Sequence, residues 1–361
     1  MGSTLSYDRM IDREYAQAIR QLMPPGRKGE RNDTPVSTWK ELDRIHGVPE
    51  KTAVVIFRTT GCAWYRFSSC SMCGYFNDVA SDVSAEDLMK QIDRAYNALN
   101  GEEVIKVFTS GSFLDPREFP MEARRYFFER FSGTIDRFLI ESRTEYITEG
   151  NLADVSALGS RVRIAIGLES ANDRIIEKSI NKGSTFSKFV EAAGIVNKLG
   201  MELRAYLLLK PPFISEKDAI DDIVESVRKI RGMVTDASIN PMNIQKNTMV
   251  ESLWKRGLYR PPRLWSVAKA LLDSSGLGTE VVSYPTGGNR ERGAHNDTYD
   301  PKLLNLIVDS SLNQDFSELR EYFISSDKGK WEKDLDNENK LIMQMDYGSF
   351  ARRMSSSSIT V

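Results

Sequence analysis

From residue 53 onward, short runs of β-branched and aliphatic residues alternate with stretches of helical periodicity, and this alternation constrains the chain more than any other feature. Strand-like runs occupy 53–57, 104–108, 137–140, 163–166, 201–209 and 237–244. Between the first two, residues 84–99 place Leu88, Ile92, Tyr96 and Leu99 on one helical face, with Ser84 as the N-cap. Further helices are expected over 121–131, 187–199 and 215–230. Such alternation requires parallel strands joined by right-handed crossovers. Six repeats, fewer than the eight of a closed barrel, predict an α/β fold built as an open, partial (βα)6 barrel. Its functional side chains should gather where the strands end.

The unusual residues fall at those ends. The first strand runs into a loop that holds all three cysteines, Cys62, Cys70 and Cys73, spaced C-x7-C-x2-C. Ser110-Gly111-Ser112 follows the second strand, Arg143 the third, Glu169 the fourth and Gln245 the sixth. Three close cysteines make a poor disulfide framework and suit metal or redox work in a reducing compartment. On a cube of four irons and four sulfides, three thiolates leave one iron open to a substrate. The alternative is a structural zinc with histidine as fourth ligand, which would draw on His46 or His295, both remote in sequence.

The chain has 361 residues and a net charge of -2, so any basic surface must be local. No apolar run approaches the roughly twenty residues of a membrane span, and the first residues lack a signal peptide's apolar segment. A cytoplasmic location without membrane contact is the default expectation. Residues 1–50 read as an N-terminal extension, with a helix over 12–23 and a basic loop over 24–31; 51–275 read as the barrel, and 276–361 as a small C-terminal domain. Within the last part a strand is expected near 281–284, helices over 301–311 and 316–323, and a polar tail from 328 that frays at its end.

Lys255, Arg256, Arg260 and Arg263 interleave with Trp254, Tyr259 and Trp265. That pattern suits a phosphate backbone and stacked bases. For the two tryptophans an amphipathic helix with both rings in the core is the preferred reading.

Over residues 53–275 these motifs resemble the radical S-adenosylmethionine (SAM) superfamily. The resemblance implies that Cys62, Cys70 and Cys73 ligate a [4Fe-4S] cluster whose open iron chelates SAM. It places Met72, with Gly74, near the adenine; Ser110, Gly111 and Ser112 near the SAM amino group; Arg143 near its carboxylate; and Glu169 near the ribose or methionyl part. Gln245 joins this cofactor-binding set. Two departures stand out: the family's usual spacing is C-x3-C-x2-C, and its second-strand motif usually carries a glutamate that Ser-Gly-Ser lacks.

Together with 166–173, 240–265 and 287–296, the chain is most similar to the archaeal branch related to the Elongator catalytic subunit, which includes radical SAM subunits of archaeosine synthase. That branch implies a lyase that cleaves the lysine C–N bond of a lysine-modified 7-deazaguanine in the D-loop of tRNA, leaving archaeosine. It implies as partners the tRNA, the archaeosine synthase alpha subunit and an electron donor, with the C-terminal region covering the barrel and contacting tRNA. Asn181, Asn243, Lys246 and His295 become candidates for substrate contacts. Relatives are expected to carry a cysteine where this chain has Asp297. A radical SAM enzyme acting on a small molecule or another base, and a zinc-containing RNA-binding protein, remain the alternative classes.

Overall fold

The computed structural model describes residues 13–22, 31–45, 47–99 and 101–342. His46, the basic loop over 24–31 apart from Arg31, and the polar end from 343 lie outside the described residues.

Eight strands form one sheet in sequential order: β1 (Ser37–Ile45), β2 (Val48–Ile56), β3 (Val104–Phe108), β4 (Arg137–Ser142), β5 (Val162–Glu169), β6 (Glu202–Leu209), β7 (Asp236–Pro241) and β8 (Glu280–Val282). All neighbours from β2 to β8 pair in parallel. The first pair is an antiparallel hairpin. The sheet curls into an open partial barrel, as the six-fold alternation requires. A seventh parallel strand, β8, extends it near the segment expected from sequence. β1 is an addition: its residues lie in the stretch read as an extension.

Helices return between the strands. Ser84 caps Ala85–Ala98 through a complete capping box with Asp87, and Ser215 caps Glu216–Ile230 through Asp218. The side-chain period of two divides each strand. Ala53, Val55, Ile105, Val107, Phe138, Ile140, Ile164, Ile166, Leu203 and Ala205 pack outward under the helices in the main core. The inner face is different, because apolar residues occupy only part of it: Val104, Leu139 and Ala165 meet Ile45, with Phe108 and Tyr206 beside them.

Level with these residues, and well short of the strand ends that carry the unusual residues, the interior is ionic. Arg204 is 1% exposed and pairs with Asp43 and Asp236, both at 2.7 Å. Arg163 adds a second cation to Asp236 at 2.5 Å, and Lys106 pairs with Glu41 at 2.6 Å and Asp43 at 2.9 Å. These charges come from β1, β3, β5, β6 and β7, so the network ties the antiparallel hairpin to the far side of the barrel. Asp43 stays ionised because Arg204 and Lys106 outweigh the burial that would raise its pKa.

The helix Pro301–Asn313 packs against β1, β2 and β8 and so spans the gap between the sheet's two edges. Arg44 of β1 reinforces that closure, reaching Glu280 of β8 at 2.9 Å and the Leu312 carbonyl at 2.8 Å. Residues from 328, read as a polar tail, include the helix Gly329–Ile342 instead. Trp331 is the reason: its indole is 6% exposed and its N–H donates to Ser266 at 2.8 Å.

Candidate active site at the strand ends

The loop after β2 holds the three cysteines as free, half-buried thiols. Cys62 caps the short helix Ala63–Phe67. Trp64 in that helix is fully buried and donates its indole N–H to the Asn181 carbonyl at 2.7 Å. Asn181 repeats the contact with its side chain, donating to Ser68 Oγ at 2.9 Å and the Ser69 carbonyl at 2.7 Å. Its backbone adopts a left-handed conformation to do so, φ 57°. Gly183, two residues on, also has positive φ, and a Cβ there would lie 2.5 Å from the Trp64 ring. The segment after β5 is therefore moulded to the cysteine loop. The helix Arg13–Gln21 braces it from the other side: Tyr15 donates to the Ser179 carbonyl at 2.7 Å, and Arg20 donates to the Tyr65 carbonyl at 2.7 Å.

The three sulfurs are electrostatic neighbours. Burial is the main force raising each thiol pKa, to about 11 for Cys70 and about 12 for Cys73. Cys62 pushes up both of the others, and Cys70 pushes up Cys73. Two cations oppose this rise: Arg143 acts on Cys62 and Cys70, and Lys182 on Cys70 and Cys73. Among the described residues, no three His, Cys, Asp or Glu side chains are gathered as they would be around a single metal ion. Three neighbouring thiols flanked by a guanidinium and an ammonium are a donor set that fits an anionic iron–sulfur cube with one iron per cysteine. Loading it must release the thiol protons.

Gly111 packs its backbone against Cys62: a Cβ there would lie 2.6 Å from Cys62 Cα and 2.6 Å from Glu118 Oε2. Ser110 donates to the Tyr75 carbonyl at 3.3 Å, and Ser112 shares a 2.7 Å hydrogen bond with Ser142. Gly74 packs in the same way on Gln245, whose Cβ would lie 2.4 Å from one built on the glycine. Met72 lies in an apolar group with Ile180, Leu208, Met242, Ile244 and Val250.

Arg143 is 7% exposed, pairs with Glu145 at 2.5 Å and donates to the Lys182 carbonyl at 3.0 Å. Glu169 pairs with Lys182 at 2.6 Å. A bulge between Gly167 and Glu169 and a left-handed φ of 68° at Glu169 aim this carboxylate inward. Lys182 is a site residue that sequence reading missed, since a lone lysine after a helix carries no signal. Its neighbours Asn181 and Gly183, both with positive φ, are the trace it leaves.

The substrate candidates are more dispersed. Lys246 and Gln245 are exposed on the loop after β7, where the Lys246 carbonyl accepts from Asn77 at 2.9 Å. Asn243 is half-buried beside Gly287. His295 uses Nδ1 on the Gly293 carbonyl at 2.8 Å. Asn181 is committed to the cysteine loop. Much of the basic segment is committed too: Lys255 pairs with Glu251, Arg260 with Glu216, and Arg263 with Asp297 and Asp334. Trp265 packs on the core and stacks with Tyr322, and Trp254 lies under Arg292, whose guanidinium is 4.8 Å from the ring centre.

The sequence profile described as the Radical SAM superfamily matches residues 56–233. The archaeosine synthase subunit beta of Methanosarcina acetivorans is 41% identical over 271 residues, covering 73% of this chain and 78% of that protein. The protein of the same name from Thermococcus kodakarensis is 36% identical over 313 residues, covering 83% and 96%. Among solved structures, Methanocaldococcus infernus Elp3 with an N-terminal deletion superposes with a TM-score of 0.44 at 14% identity, covering 64% of this chain and 55% of that one. With the profile running from the end of β2 to just before β7 and two relatives matching most of their own length, this chain belongs to the radical SAM superfamily, in the group that includes the archaeosine synthase beta subunits.

Proposed function

We propose that the chain is a radical SAM lyase of tRNA modification. It cleaves the lysine C–N bond of a lysine-modified 7-deazaguanine in the tRNA D-loop to leave archaeosine, and works in the cytoplasm with the archaeosine synthase alpha subunit and an electron donor. The observation that carries this reading is the loop at the end of β2 that holds all three free thiols, packed against Gly111 and the Asn181–Gly183 segment, in a barrel whose relatives are named archaeosine synthase subunits. Cys62, Cys70 and Cys73 would hold a [4Fe-4S] cluster. When bound, that cluster supplies reductive cleavage of SAM to a carbon radical able to abstract a hydrogen atom.

The remaining roles belong to side chains and backbone. The Ser110–Ser112 turn and Gly74, both packed closely on the cysteine loop or its neighbour, offer backbone groups to SAM with no side chain in the way. Arg143 and Glu169, already paired with Glu145 and Lys182, present an ionic rim on which SAM's polar ends exchange partners. Lys246, Asn243 and His295 lie on the loops that face incoming tRNA, whereas Asn181 acts by holding the cysteine loop in place.

The test is anaerobic reconstitution with iron and sulfide, followed by incubation with SAM, a reductant and lysine-modified tRNA. Formation of 5′-deoxyadenosine together with archaeosine is the expected result. Deoxyadenosine without archaeosine rejects the substrate, and neither product rejects the enzyme class.

A further inference from the structure

The Ser-Gly-Ser turn lacks a carboxylate of its own, but one reaches it from the turn that follows. Glu118 is 2% exposed and points back between the ends of β2 and β3. Its Oε1 accepts from the Thr59 hydroxyl at 2.7 Å, its Oε2 accepts from the Ser112 amide at 2.6 Å, and the Thr109 hydroxyl donates to it as well.

The two threonines are equivalent. Thr59 accepts the amide of Gly61 at 3.1 Å, and Thr109 accepts the amide of Gly111 at 3.3 Å. Adjacent parallel strands thus end in matching threonine-x-glycine turns, Thr59-Thr60-Gly61 and Thr109-Ser110-Gly111, bound to one buried carboxylate. The first turn leads into Cys62. The second presses Gly111 onto Cys62, with Glu118 Oε2 on the same glycine.

We propose that Glu118 is a positioning residue of the cofactor site, a single carboxylate that sets the Cys62 turn and the Ser110-Gly111-Ser112 turn against each other so that SAM meets both in register. This rests on the reading of the strand ends as a cluster and SAM site. Glu118 touches neither reacting group; it acts through the two threonines and the Ser112 amide. Burial pushes the Glu118 pKa up to about 7 while its hydrogen-bond donors act against that rise, and a buried donor left without its acceptor is costly, so loss of this carboxylate should be felt at the turns it joins.

The test uses the reconstituted full chain and the electron paramagnetic resonance spectrum of its reduced cluster as SAM is added. Glu118→Gln keeps the shape but cannot accept from all three donors, and Thr109→Val removes one donor far from the cysteines in sequence. We expect both variants to retain iron and sulfide at the level of the unmodified protein. The SAM concentration that half-completes the spectral change should rise about tenfold for Glu118→Gln and severalfold for Thr109→Val, with the double variant close to Glu118→Gln alone. An unchanged SAM dependence in Glu118→Gln overturns the inference, as does equal loss of iron in both variants, which would make Glu118 a folding residue only. Should Glu118→Gln fail to fold, Thr109→Val decides alone by the same two criteria. A spectrum of the unmodified protein that does not respond to SAM overturns the cofactor reading itself, and this inference with it.

Discussion

Lys182 and Glu169 meet at 2.6 Å beside the cysteine loop, and the backbone beneath them is shaped for that meeting. A Cβ on Gly167 would lie 2.5 Å from the carboxylate and 2.6 Å from the ammonium. Both side chains are close to nine-tenths buried, at 12% and 13% exposure. Breaking such a pair from one side leaves a buried charge unpaired, whereas removing both charges together is often neutral. Lys182→Met is therefore expected to cost about 3 kcal/mol of stability in denaturant titration, and Lys182→Met with Glu169→Gln to recover most of it. Because Lys182 also draws the Cys70 and Cys73 pKa values down, the single variant should shift the reduction potential of the reconstituted cluster to more negative values.

Gly183→Ala tests the docking of the segment after β5 onto the cysteine loop. The new methyl meets the rigid Trp64 ring at 2.5 Å from a backbone at φ 67°, so neither partner can yield cheaply. A loss of about 2 kcal/mol is expected from overpacking, with a reduced iron content after reconstitution. Gly194→Ala, inside the helix Phe186–Lys198 where the methyl has open space, serves as the control and should stabilise by about 0.5–1 kcal/mol.

Two glutamates, Glu216 fully buried and Glu141 half-buried, should shape opposite limbs of the pH–stability curve. Burial pushes Glu216 up, but Lys210 and Arg260 outweigh it and hold its pKa at about 2, below the ordinary 4.5. Its stabilisation is complete above 4.5 and is lost as the pH falls toward 2. Glu141 is raised by burial to about 8, so its contribution is complete below 4.5 and is lost as the pH rises toward 8. Denaturant titrations across pH should show Glu216→Gln flattening the acid limb and Glu141→Gln the alkaline one.

Asp297 occupies the position where relatives are expected to carry a cysteine. Here it is 45% exposed and pairs with Arg263 and Lys330. Exposed ion pairs are worth little, so Asp297→Asn should cost less than about 1 kcal/mol. Iron content and SAM-dependent spectra should be unchanged; a change in either would give this position a role at the cluster.

The strands β2 to β7 were legible because their β-branched runs are bounded by polar strand ends, and the cysteine loop was legible because three thiols lie within twelve residues. β1 was not. Its inward positions Glu41 and Asp43 are charged, and they are neutralised by Lys106 and Arg204 from strands more than sixty residues away. No local pattern can announce such a pairing. The partners of the basic segment after residue 254 were hidden for the same reason: Glu216 and Asp297, which pair with Arg260 and Arg263, lie outside it. Arg143 stood out in the sequence at the third strand's end, but nothing local told which carboxylate it would pair with; in the structure Glu145 lies on its Nε at 2.5 Å.

The ionic network of Asp43, Lys106, Arg163, Arg204 and Asp236 gives the barrel a sealed base. A chamber stoppered at one end is a cul-de-sac: what goes in by the rim must back out by the rim. For the proposed reaction, the order in which spent nucleoside and finished RNA withdraw then becomes part of turnover, because both must use the one door.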